Sequence, residues 1–232
     1  MASDLQLAIL SGESYNDLSN KIINDENKDF RWLVFESISA NQSGFSYALF
    51  YKKGKNENNT PKGNEEAILA FTGTNDFADI LIDDINIVKT QIPPQAYLAL
   101  EVTNKYKNKF NNLKLTGHSL GGALAIYSGA HHNLEVVTFN APGVMLGCIK
   151  STAEPLKFIE RNGLKNFLAK INNCINGDKI RNIKISGDIV SLHFITHIQS
   201  GKTKELNSNC SMYDYKCKHE INTIISVLKG QK

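Results

Sequence analysis

The chain has 232 residues, 41% hydrophobic and 21% charged, with a net charge of +3 at neutral pH. That length can bury a real core and fits a single α/β domain spanning residues 1–232. The weak charge, with no RNA-binding signature, zinc-finger spacing or basic zipper region, argues against nucleic acid as a partner. No run approaches the ~18 apolar residues that a membrane span requires.

Met1-Ala2-Ser3-Asp4-Leu5 lacks the basic start and apolar stretch of a secretory signal. A soluble protein is expected, cytoplasmic or exported by a leaderless route. Residues 5–23 place Leu5, Ala8, Ile9, Leu18 and Ile22 at helical spacing with an interruption at Gly12, which predicts one or two helices. Residues 31–38 and 45–51, rich in aromatic and β-branched side chains, read as strands. Between them and the apolar run 67–71 lies the polar stretch 52–64, with Gly54, Pro61 and Gly63, which predicts a hairpin-type loop. Ala67-Ile68-Leu69-Ala70-Phe71 itself has the continuous apolar character of a strand covered on both faces.

Pro93 and Pro94 open a predicted helix through Phe110, proline being tolerated in a first turn. A strand over 113–116, a helix over 123–129 and a buried strand over 134–139 follow. Residues 148–176 carry a helical apolar pattern, 179–185 returns to strand, and 220–228 predicts a closing helix. This alternation predicts a mainly parallel, doubly wound sheet with helices on both faces.

The chemistry concentrates at Thr116-Gly117-His118-Ser119-Leu120-Gly121-Gly122. A serine hydroxyl becomes a useful nucleophile only when a base takes its proton and its oxygen faces the substrate. The G-x-S-x-G turn supplies that exposure, because a strand ends, the chain bends sharply into a helix, and the serine sits at the apex. Gly117 and Gly121 keep Cβ atoms from colliding in the bend. The following helix start brings backbone N–H groups and a positive dipole end to the serine. His118, though adjacent, is expected to point away at the bend and to serve structure.

Four segments together resemble the class 3 lipase family, the fungal-lipase-like α/β hydrolases. Phe71-Thr72-Gly73-Thr74 resembles its F-x-G-[ST] oxyanion loop, and 116–125 its T-G-H-S-L-G-G-A-L-A elbow. Thr138-Phe139-Asn140-Ala141-Pro142-Gly143 resembles a stretch that often follows, and Gly187-Asp188-Ile189-Val190 the segment that carries the triad acid. The resemblance implies an α/β-hydrolase fold, Ser119 as nucleophile, Asp188 as acid, and an oxyanion hole from Thr74 and the Leu120 N–H. Asp188 also directly follows a predicted strand, which puts it at the carboxyl edge of the sheet, where the elbow opens. Its nearest rival, Asp178, precedes that strand. The base is to be chosen among His193, His197 and His219. His219 lies in a polar loop before the last predicted helix, where the family places its histidine. The order Ser, Asp, His matches such hydrolases.

Residues 75–92 hold Ala78-Asp79-Ile80-Leu81-Ile82-Asp83, similar to the family's D-W-x-x-D lid helix with Ile80 in the aromatic's place, while its apolar residues also fit ordinary helix packing. The apolar stripe of 148–176 fits either an acyl-chain wall or the buried face of ordinary helices. The family acts largely on acyl glycerols and glycerophospholipids. Residues 150–184 carry eight basic against three acidic side chains, which fits either a solvated helix face or contact with anionic headgroups at a membrane surface. The expectation is a phospholipase A1-like enzyme or lipase without metal or cofactor. A soluble-ester esterase, an acyltransferase and a non-catalytic hydrolase-fold binding protein are the alternatives. The small, leaderless, Lys- and Asn-rich chain also resembles bacterial lipase toxins delivered by a secretion machine, which would add an immunity or delivery protein as partner. Cys148, Cys174, Cys210 and Cys217 fall into two local pairs, compatible with reduced thiols or with disulfides formed after export.

Overall fold

The computed structural model describes residues 1–19, 21–39, 44–73, 94–144, 165, 172, 177–192 and 201–231. Within them an eight-stranded sheet carries its strands in chain order: β1 (Ile22–Asn24), β2 (Phe30–Ile38), β3 (Tyr47–Gly54), β4 (Glu66–Phe71), β5 (Asn112–His118), β6 (Glu135–Phe139), β7 (Ile180–Ile185) and β8 (Lys202–Leu206). The first four pair antiparallel, and β4 through β8 pair parallel. The α/β-hydrolase class expected from the sequence is the class observed.

The helices are α1 (Asp4–Glu13), α2 (Pro94–Lys107), α3 (Leu120–His132), α4 (Ile189–Leu192), α5 (Tyr215–His219) and α6 (Ile221–Gly230). Side chains alternate along a strand, so β4 feeds two cores. Leu69 and Phe71 join Tyr106, Phe110, Leu115 and Leu124 on the α2–α3 side. Ile68 and Ala70 join Leu7, Leu10, Phe139 and Ile224 on the α1–α6 side. Among the described residues the strand order contains no reversal of the doubly wound kind, and elements from the two ends of the chain, α1 and α6, pack together on the second face of the sheet.

Three elements differ from the sequence expectation. The apolar pattern of 5–23 divides into α1, which ends at Glu13, and the short strand β1. The Ser3 hydroxyl caps α1 by accepting the Gln6 N–H at 3.0 Å. β8 was not expected as a strand, because Lys202 to Glu205 lie exposed on the sheet edge and show no apolar alternation; lysine-rich, polar edges resist further pairing. His219 ends the helix α5 instead of lying in a loop, with the Asp214 side chain accepting the Cys217 N–H at 2.9 Å at the start of that helix. The helical pattern of 148–176, apart from two positions, and the lid segment 75–92 lie outside the described residues. No helix among the described residues is long and apolar enough to cross a membrane.

Candidate active site

The parallel strands end at one edge of the sheet, and β5, β6 and β7 each deliver part of the site there. At the end of β5 the chain turns directly into α3. A Cβ on Gly117 would lie 2.4 Å from the Gly121 carbonyl, and one on Gly121 would lie 2.1 Å from the Phe71 carbonyl. Neither position has room for a side chain. Ser119 occupies the apex with φ 56° and ψ −130°, a sparsely populated backbone region that costs on the order of 1–3 kcal/mol and persists only where its surroundings enforce it. Here the Ser119 N–H donates to the Phe139 carbonyl at 3.0 Å, and the Ser119 carbonyl accepts the Ala123 N–H at 3.2 Å. The Ser119 hydroxyl is buried and has no hydrogen-bond partner among the described residues. Leu120 begins α3, where backbone N–H groups have no carbonyl a turn earlier to bond.

Asp188 follows β7 through Ser186 and Gly187, the latter in the left-handed region at φ 78°. Its carboxylate is fully buried. One oxygen lies 2.8 Å from His219 Nδ1, and the other accepts the Ser191 N–H at 2.9 Å. The His219 ring is buried, 4.8 Å between centroids from the ring of His118, which directly precedes Ser119. The acid and the imidazole named from the sequence are thus in contact, beside the elbow. Of the other named positions, Leu120 is described, whereas Thr74, His193 and His197 lie outside the described residues. Among those residues no group of three or more His, Cys, Asp or Glu side chains converges as metal ligands would.

His118 does not simply point away. Its Nε2 lies 2.6 Å from the His219 carbonyl and its Nδ1 3.2 Å from the Tyr15 hydroxyl. Burial, and then the neighbouring His219 imidazole, hold its pKa down at about 3, so the ring stays neutral. Tyr15 also accepts the Gly73 N–H at 2.9 Å; burial raises its pKa. The Thr72 hydroxyl donates to the Ser14 carbonyl at 3.0 Å. Together these bonds fasten the end of β4, just before Thr74, to the end of α1. Tyr15 does not stand out in the sequence as part of the site, and Asn140, a fully buried residue at φ 46° that follows β6, lies in the resembling segment 138–143 but has no role assigned to it there. For Asn140 the signal available was an amide side chain placed between a buried strand and Ala141-Pro142.

The sheet, the elbow at its carboxyl edge and the adjoining acid–imidazole pair define the α/β-hydrolase fold. The model of the Tle-like phospholipase domain matches residues 6–230, and the chain belongs to that phospholipase-like family. Proteins carrying the name lipase ATG15 are 48% identical over 54 residues in Meyerozyma guilliermondii and 50% identical over 54 residues in Scheffersomyces stipitis. Each match spans 22% of this chain but only 10% and 9% of those longer relatives. Among solved structures, a Rhizomucor miehei lipase–propeptide complex superimposes with a TM-score of 0.51 at 15% identity, covering 88% of this chain and 65% of that one. At that identity the likeness concerns the fold.

Proposed function

We propose that this chain is a serine-dependent carboxylic-ester hydrolase of lipids, acting on phospholipids in a phospholipase A1-like manner. Ser119 attacks the ester carbonyl while His219 takes its proton. Asp188 fixes the imidazole tautomer and stabilises the imidazolium that forms. The Leu120 N–H and Thr74 are assigned to the oxyanion, a type of contact whose loss costs roughly 10²–10³ in rate. The observation that carries this reading is the buried 2.8 Å contact of Asp188 with His219 beside a serine held in an enforced elbow conformation.

The phospholipid preference rests on the family and not on the basic segment. In the described part of that segment, Arg181 pairs with Asp4 at 2.8 Å, Lys179 donates to the Asn133 carbonyl at 2.8 Å, and Lys184 lies 3.8 Å from Glu205. Those three cations have partners within the fold, while Lys165 of the same segment is exposed. The test is a fluorophosphonate probe followed by a panel of phospholipids, triacylglycerols and short soluble esters with positional analysis of the released acids. Labelling and hydrolysis are expected in the wild type and absent in Ser119→Ala. Labelling that persists in that variant sinks the serine assignment, and equal turnover of short esters and phospholipids sinks the lipid assignment.

A further inference from the structure

The His219 carbonyl oxygen is bound from two strand ends at once. The Asn140 side chain donates through Nδ2 to it at 2.9 Å and to the preceding Lys218 carbonyl at 2.9 Å. His118 Nε2 lies 2.6 Å from the same oxygen. A carbonyl only accepts, so His118 carries its proton on Nε2 and its Nδ1 accepts from Tyr15. The Asn140 amide is oriented with as little ambiguity, because Oδ1 accepts the Ile185 N–H at 2.8 Å while Nδ2 faces two carbonyls.

We infer that Asn140 and His118 are positioning residues which clamp the backbone of the base to the strand ends that hold the nucleophile. The inference rests on the serine-hydrolase reading and extends it. His118 is covalently joined to Ser119, and the Ser119 N–H is bound by Phe139, the residue before Asn140. Nucleophile and base are therefore located from the same two points, the ends of β5 and β6. Through Oδ1, Asn140 also holds Ile185, three residues before Asp188 and at the end of β7. One buried amide thus ties together the segments bearing Asp188 and His219, and the adjoining Phe139 carbonyl holds the segment bearing Ser119. With its carbonyl clamped and Nδ1 against Asp188, the His219 imidazole is fixed at two points, which orients Nε2. Positional errors of about 1 Å in such an arrangement cost roughly 10²-fold in rate.

Asn140→Asp isolates the donors, since an isosteric carboxylate still accepts the Ile185 N–H but opposes both carbonyls. His118→Phe removes the second donor, and His118→Gln places an amide N–H within reach of the same oxygen. The measurements are kcat and KM on p-nitrophenyl butyrate and the rate of fluorophosphonate labelling. Asn140→Asp and His118→Phe are expected to lower kcat and labelling by about 10²-fold with KM within about twofold, and His118→Gln to recover most of the His118→Phe loss. Wild-type rates in Asn140→Asp or His118→Phe overturn the clamp, as does a His118→Gln loss equal to that of His118→Phe. If Asn140→Asp does not fold, the His118 pair decides. A wild type that shows no Ser119-dependent labelling overturns the hydrolase reading together with the clamp; equal labelling of wild type and variants overturns the clamp alone.

Discussion

The Gly73 N–H donates to the Tyr15 hydroxyl at 2.9 Å, and that hydroxyl faces His118 Nδ1 at 3.2 Å. A residue just beyond the first helix therefore sits between the strand leading to Thr74 and the residue preceding Ser119. Tyr15→Phe removes one oxygen and leaves a part-buried N–H and a buried ring nitrogen to find other partners. Leaving such groups unsatisfied costs about 1–3 kcal/mol each. Urea unfolding is expected to show a loss in that range, and kcat on a soluble ester to fall about tenfold through displacement of the oxyanion strand. Unchanged kcat with lowered stability would confine Tyr15 to the fold.

Asp188→Asn tests the acid without changing its shape. The carboxylate is fully buried, contacts His219 Nδ1 at 2.8 Å and accepts the Ser191 N–H with its second oxygen. An amide no longer selects the imidazole tautomer with its proton on Nδ1, nor stabilises the imidazolium. A loss in kcat of about 10³–10⁴ is expected, as for other triads, with KM little changed. Retention of more than a tenth of wild-type kcat would exclude Asp188 from this role.

His118 makes stability depend on pH in one direction. Its pKa is lowered from 6.5 to about 3 by burial and by His219. Between those values the unfolded chain binds a proton that the folded chain does not, so stability falls as pH falls below about 6.5, by up to about 1.4 kcal/mol per pH unit. Above 6.5 the contribution is complete. His118→Gln does not titrate. Denaturant melts from about pH 7 to about pH 4.5 are expected to fall more steeply for the wild type than for this variant, and parallel curves would contradict the assignment.

Cys210 and Cys217 form a disulfide, closing a ring seven residues in sequence separation just ahead of His219. Of the two pairings open from the sequence this is the one the described residues contain; Cys148 and Cys174 lie outside them. Loop-closure entropy for a ring of this size corresponds to about 2.5 kcal/mol. Because the ring contains Asp214, which caps α5, reduction by dithiothreitol is expected to lower the melting midpoint and to reduce kcat several-fold. The Cys210→Ser/Cys217→Ser double variant should show both losses without reductant. Equal activity of the oxidised and reduced wild type would separate the ring from the placement of His219.

Local patterns show in the sequence wherever one segment suffices to specify them. The elbow is such a case, because the close approaches at Gly117 and Gly121 demand small residues at fixed spacing. Strand β4 is another, since burial on both faces leaves a continuous apolar run. Strand β8 is the opposite, a polar edge whose only signature is its hydrogen bonding to β7. Residues 5–23 read as helical because Leu18 and Ile22 continue the spacing of α1, although Ile22 lies in β1 and is half exposed. Tyr15 and Asn140 act through residues 58 and 79 positions away, at Gly73 and His219. Partners at such distances leave no periodicity to read.

Because the sheet is laid down in chain order, the imidazole comes from a segment that follows every strand. A nascent chain that has completed β8 holds the serine and the acid in its sequence, yet has no His219 to draw off the proton. On the proposed assignment, turnover waits for that segment. It requires α5 in place against Asn140 and His118, so ester cleavage reports that the chain has folded past its last strand.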